Sequence, residues 1–143
     1  MRIAARPLEA ILAHARAGHP FEVCGVLVGR ADAGGVAVVE AVAVENRERT
    51  APRTRYEIAP EDLLRLQREA RATGRDIAGF YHSHPDHPAV PSEYDREHGL
   101  PFFHYVVVAV GAESPGEAAS YVLSEDRGVF EREELLIEAP GRQ

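Results

Sequence analysis

The chain predicts an α/β layer fold built on a mixed β-sheet, and three observations predict it. Short apolar runs rich in Val and Ile recur along the sequence, two longer segments carry helical periodicity between them, and Gly34-Gly35 separates two of the apolar runs like a hairpin turn. Strands interrupted by two long helices, with at least one hairpin, fit a sheet that carries helices on its faces.

Taken in order, Leu8, Ile11, Leu12 and Ala15 recur at helical spacing, and Gly18 with Pro20 closes the segment, which predicts an amphipathic helix over about residues 7–16. A strand is expected from about Val23 to Gly29. The alternating, Val-rich run Val36 to Val44 is its hairpin partner. Tyr56-Glu57-Ile58 reads as a short third strand. Pro60-Glu61-Asp62 opens a second helix, with proline at its first position and acids where the helix dipole favours them; Leu63, Leu64 and Leu66 begin its apolar face and Gly74 ends it. The segment Asp76 to Tyr81 is a buried strand, and Phe103 to Val110, Ala119 to Leu123 and Val129 to Leu136 are further strands.

With 143 residues the chain fits one domain, residues 1–143, with room for a real core and no linker, repeat or low-complexity run. The balance of 16 basic and 23 acidic residues, a formal net charge of −7, repels phosphate backbones and argues against nucleic acid as a main partner. Every basic residue other than histidine is Arg. The N-terminus has no apolar core of a secretory signal and no run is long enough to span a membrane, so a cytoplasmic location without a membrane partner is expected. Cys24 is the only cysteine, which excludes an intrachain disulfide and suits a reducing compartment.

The chemistry concentrates in His82-Ser83-His84-Pro85 followed by Ser92 and Asp95, within fourteen residues. Residues two apart on a strand project to one face, so His82 and His84 can chelate one ion; on a helix they would stand roughly 200° apart. Pro91 favours a helix start, which sets Ser92 and Asp95 on one face of its first turn. Ser-x-x-Asp is also a helix-capping pattern, and a cap can aim Asp95. Two imidazoles and a carboxylate leave one of zinc's tetrahedral positions for water, the arrangement of a catalytic site. Zinc hydrolysis also needs a carboxylate to carry a proton from water to the leaving amine. Glu22, at the mouth of the first predicted strand, is the candidate, although spacing alone cannot bring it near His82.

Glu22 with the run Cys24-Gly25-Val26-Leu27-Val28-Gly29, and His-x-His-x7-Ser-x2-Asp ending at Asp95, resemble the JAMM (MPN-plus) metallopeptidase family at every position of its pattern. The resemblance spans nearly the whole chain. It implies a mixed, curved sheet flanked by helices in the JAMM/MPN, cytidine-deaminase-like architecture. It implies Zn2+ held by His82, His84 and Asp95, Glu22 as general acid and base, and Ser92 at the oxyanion. The implied activity is hydrolysis of peptide or isopeptide bonds after the diglycine tail of ubiquitin-like proteins. Short bacterial members act on sulfur-carrier proteins, some releasing a C-terminal residue such as cysteine. A side-chain-free tail can thread a narrow cleft and add to a strand edge.

Other readings stand beside these. A zinc deaminase needs a Pro-Cys-x-x-Cys segment that a single cysteine cannot supply. A non-catalytic scaffold of the same fold is the alternative, though such domains lose ligands and none is lost here. A cysteine peptidase using Cys24 is a third option, but its flanking Val23, Gly25, Val26 and Leu27 predict a buried hydrophobe. His87 is expected to be solvated, His98 and His104 structural, and His14 and His19 on the surface. Arg47, Arg49, Arg53 and Arg55 form a basic loop, read as solvated, that would otherwise steer an acidic carrier.

Overall fold

A computed structural model describes residues 1–111, 114–126 and 128–139. The elements run β1 (Arg2–Ala4), α1 (Ala5–Gly18), β2 (Cys24–Asp32), β3 (Gly35–Val44), α2 (Pro60–Ala72), β4 (Asp76–Pro85), α3 (Glu93–His98), β5 (His104–Gly111), β6 (Ser114–Leu123), β7 (Phe130–Glu133) and β8 (Leu136–Glu138). The strands form one eight-stranded sheet in the order β7-β6-β5-β4-β2-β3-β1-β8. It is mixed: β4 and β5, β1 and β3, and β1 and β8 pair parallel, and the remaining pairs are antiparallel.

The sheet must curl. Strands β7 and β8 lie at its opposite edges, yet only residues 134 and 135 join them. Such a link spans at most about 11 Å, whereas the edges of a flat eight-stranded sheet lie about 33 Å apart. The concave face wraps α1: Leu8, Ile11 and Ala15 pack with Ile3, Leu27, Val38, Tyr81 and Val106. On the other face Leu66 and Ala70 of α2 meet Val26, Val28, Phe80 and Tyr105. β2 and β4 are therefore covered on both sides. Cys24 through Gly29 and Gly79 through Pro85 are continuously buried, as expected of central strands between two helical layers.

The predicted hairpin forms between β2 and β3, with Gly35 at φ +100°, a conformation open to glycine at no steric cost. α2 begins at Pro60 with Glu61 and Asp62 in its first turn. Two expectations need correction. Tyr56-Glu57-Ile58 is not a strand; the Glu57 amide donates to Asn46 Oδ1 and its carbonyl accepts from Arg47 N. The run Val129 to Leu136 is two strands rather than one, split because the chain crosses between the sheet's two edges. Strand β1, too short to show a period, was not anticipated.

Register sets the site. β4 pairs Cys24 with His82 on one side, and His82 with Val107 and His84 with Ala109 on the other. Gly79 keeps β4 and β5 in contact, because a Cβ there would overlap the His104 carbonyl.

Candidate metal centre

His82 and His84 leave β4 on the face that carries α2, and Asp95 approaches from the first turn of α3. His82 Nε2, His84 Nε2 and Asp95 Oδ2 form a triangle with all three sides 3.1 Å. All three residues are buried. Pro88 fixes the tautomer of His84: its carbonyl lies 3.0 Å from Nδ1, so in the neutral ring Nδ1 donates there and Nε2 turns a lone pair to the centre. Two imidazole nitrogens facing each other at 3.1 Å gain nothing from hydrogen bonding when both present lone pairs. A cation between them removes the conflict. Donors sharing one tetrahedral zinc at about 2.0–2.2 Å stand about 3.3–3.6 Å apart, close to the triangle seen, and the donor set suits that metal.

Asp95 is held by the cap predicted for its helix. Ser92 N donates to Asp95 Oδ2 at 2.8 Å, and Asp95 N donates to Ser92 Oγ at 3.1 Å. The capping reading and the ligand reading of this quartet thus describe one geometry. Burial works against the Asp95 charge, but His82, hydrogen bonds from both imidazoles and the Ser92 amide outweigh it and hold the carboxyl far below the usual range. Burial also opposes a charge on His84, yet its bond to Asp95, the Pro88 carbonyl and the charges of Asp95 and Glu22 raise its pKa.

Glu22 is brought to the same place from the chain just ahead of β2. One carboxylate oxygen, the Nε2 or Nδ1 of His82 and that of His84 all lie within 4.8 Å of one another. The residue is 4% exposed, and its Oε1 is buried with no hydrogen-bond partner. Burial pushes the carboxyl up to about 8, with His84 opposing and Asp95 adding to the rise. Sequence spacing gave no reason for this proximity; pairing of β2 with β4 supplies it. Ser83, between the two histidines, secures it: Val23 N donates to Ser83 Oγ at 2.9 Å, and Ser83 N donates to Val23 O at 3.0 Å.

Two further residues had no place in the sequence reading of the site. Tyr56 stacks on His82, with ring centroids 4.6 Å apart and planes 23° from parallel. Asn46 bonds the main chain of Glu22. Tyr56 entered the sequence reading only as part of a short expected strand, and Asn46 carried no signal. A cavity of about 410 Å³ opens beside Asp95, lined largely by Tyr56, Leu63, Phe80, Tyr94 and Tyr105.

The remaining candidates fall elsewhere. Cys24 is fully buried, and burial, reinforced by Glu22 and Asp62, pushes its thiol up to about 12, which removes it as a nucleophile. His87 is exposed, His98 bonds the Tyr94 carbonyl, and His104 bonds Glu133 at 2.6 Å. His19 is at the surface beside Asp86, but His14 is half-buried against the Tyr81 hydroxyl at 2.7 Å. Arg47 and Arg49 pair with Glu45, while Arg53 lies over Phe21 and Arg55 over Tyr94. Among the described residues no helix is long and apolar enough to cross a membrane.

The chain is 42% identical over 101 residues to a desampylase of Haloferax volcanii, covering 68% of this chain and 70% of that protein. It is 32% identical over 115 residues to the CysO-cysteine peptidase of Mycobacterium tuberculosis, covering 80% and 76%. A solution structure of a Desulfitobacterium hafniense protein superposes with a TM-score of 0.84 at 27% identity, over 98% of this chain and 94% of that one. A JAB1/MPN domain protein from Archaeoglobus fulgidus shares the fold at a TM-score of 0.63 and 22% identity, over 96% and 98% of the two chains. Residues 4–124 match the family described as prokaryotic homologs of the JAB domain, and this chain belongs to that family.

Proposed function

We propose that this chain is a zinc-dependent peptidase that cleaves the bond after the C-terminal diglycine of a ubiquitin-like or sulfur-carrier protein, releasing a C-terminal residue such as cysteine or an isopeptide-linked amine. Its relatives carry the names desampylase and CysO-cysteine peptidase, and the chain is a hydrolase. The observation that carries the finer reading is the 3.1 Å triangle of His82, His84 and Asp95 facing a buried carboxylate that has no partner on Oε1.

In this reading His82, His84 and Asp95 hold the metal. Zinc, when bound, supplies Lewis acidity that brings the pKa of a coordinated water from about 15.7 toward about 7. Glu22 takes the proton of the attacking water and hands it to the nitrogen of the leaving amine. Its position favours that exchange: the carboxylate lies with His82 and His84 inside one small cluster, and its Oε1 has no other partner to compete for the proton. Ser92 Oγ accepts from Asp95 N, and its own hydroxyl proton remains for donation to the developing oxyanion. β4 is paired on both sides around His82, so its own edge is not open to the carrier tail.

The test uses a small ubiquitin-like carrier extended by one cysteine after its Gly-Gly, with product mass as the readout. The parent should release the cysteine, lose activity to a chelator and regain it with zinc. Glu22→Gln should keep zinc while kcat falls about 10²- to 10⁴-fold. Replacing the tail's Gly-Gly by Ala-Ala should block cleavage. A parent that holds zinc and cleaves no such carrier would leave the non-catalytic scaffold in its place.

A further inference from the structure

The geometry points to Asn46 as a positioning residue for the metal centre, one whose carboxamide orients both Glu22 and, through Tyr56, the His82 ring. The inference rests on the roles of Glu22 and His82 just proposed.

Asn46 lies two residues past the end of β3, where pairing of Val44 with Cys24 brings it level with Glu22. Its side chain makes four bonds, all to main chain. Nδ2 donates to the carbonyls of Glu22 and Arg55 at 3.0 and 3.1 Å, and Oδ1 accepts from the amides of Glu48 and Glu57 at 3.0 Å each. A carboxamide is the side chain that offers two donors and two acceptor sites at once, and here all four are used. An aspartate at this position would press a carboxylate oxygen against two carbonyls.

Glu22 needs this support. It precedes β2 and has no ladder of its own; its N donates to the Pro52 carbonyl at 2.8 Å and its O accepts from Asn46. Both main-chain groups of the residue are therefore bonded to the 46–57 segment. Oε1 has no partner to anchor it, so the main chain that Asn46 and Pro52 hold sets the point from which the buried carboxylate reaches the histidines.

The same carboxamide brackets Tyr56, bonding the residue before it and the residue after it. The Tyr56 ring then lies 4.6 Å from that of His82. The two histidines differ in what orients them: His84 Nδ1 has the Pro88 carbonyl, whereas His82 Nδ1 is buried with no hydrogen-bond partner. Stacking against Tyr56 restrains the plane of the His82 ring, the orientation that the Pro88 carbonyl gives His84. Outer contacts that orient a metal-binding imidazole are worth about 10- to 100-fold in affinity or activity.

The experiment measures zinc affinity by competition with a chromogenic chelator, alongside steady-state cleavage of the cysteine-extended carrier, for Asn46→Asp, Asn46→Ala, Tyr56→Ala and Tyr56→Phe. Both Asn46 variants should lower kcat about tenfold or more with KM within about twofold, and should weaken zinc binding. Tyr56→Ala should weaken zinc about tenfold, and Tyr56→Phe, which keeps the stacked ring, should restore it. In the metal-free Asn46→Ala protein the amides of Glu48 and Glu57 should exchange faster while those of β4 keep their protection. Parent-like kcat and zinc affinity in the Asn46 variants overturn the inference, as does a Tyr56→Ala protein that binds zinc like the parent. The Tyr56 pair decides the matter if an Asn46 variant does not fold. Full activity of Glu22→Gln would sink the assigned base, whereas zinc affinity and amide exchange would still judge Asn46.

Discussion

Replacing Glu22 by Gln should change how the stability of the metal-free protein responds to pH, in a direction the burial of this carboxyl dictates. Its folded pKa is raised to about 8 from an ordinary value of 4.5, with burial as the main cause. Between those values the folded protein keeps a proton that the unfolded chain has lost, so unfolding releases a proton and stability falls as pH rises. Each pH unit inside the window costs about 1.4 kcal/mol, and allowing for the window's edges the loss between pH 5.5 and 7.5 is about 2.5 kcal/mol. Gln carries no proton to lose, so the variant lacks this contribution.

Urea unfolding of chelator-treated parent and variant at the two pH values reads the difference directly. With a slope of about 1–3 kcal/mol per molar urea, the difference between their midpoints should shift by about 0.8–2.5 M from pH 5.5 to 7.5, in the variant's favour. His84 is coupled to Glu22, whose charge raises its pKa, so the comparison reads the two groups together. A fixed offset from burying a Gln amide leaves the change with pH untouched. Zinc should shrink the parent's slope, because a nearby dication favours the carboxylate. Parallel profiles for the two metal-free proteins would refute the reasoning, since they would mean that Glu22 is charged and solvated in the folded state.

Gly79→Ala should destabilise the protein by about 1–3 kcal/mol or more, because its Cβ meets the His104 carbonyl and must part β4 from β5; thermal unfolding and zinc titration should both register the change. Ser92→Ala removes the cap on α3 and should cost about 1 kcal/mol, but zinc should stay bound because the Ser92 amide still holds Asp95; a kcat unchanged from the parent would exclude Ser92 from the oxyanion. Cys24, buried with its thiol at about 12, should resist iodoacetamide at pH 8 until the protein is unfolded; stoichiometric labelling of the native protein with loss of activity would revive the cysteine-peptidase reading.

Much of the triad was legible before the structure. His82 and His84 are two apart, Ser92 and Asp95 three apart, and both spacings translate into shared faces by local geometry alone. The helices of residues 5–18 and 60–72 were legible for the same reason: their periodicity, Pro60 and the first-turn acids act within a turn or two. The misread segments are those whose partners are distant. Tyr56 to Ile58 resembles a strand in composition, but its backbone bonds go to Asn46 and Arg47 rather than to a ladder. The run after Val129 is apolar enough for one strand, and only the closure of the sheet breaks it in two.

What the sequence determined by itself is therefore the local chemistry: which residues carry imidazole and carboxylate, at what spacing, on a strand and at a helix start. These follow from the periods of the backbone, which a reader can count. What the tertiary structure decided is which distant residues complete the site. Glu22 stands sixty residues before His82 and reaches it because β2 and β4 pair in register, with Ser83 fastening Val23. Asn46 and Tyr56 join through one carboxamide that bonds Glu22 on one side and brackets Tyr56 on the other. Contacts of that range depend on strand order and sheet curvature, which arise from the packing of the whole core and leave no periodic trace in the residues that make them.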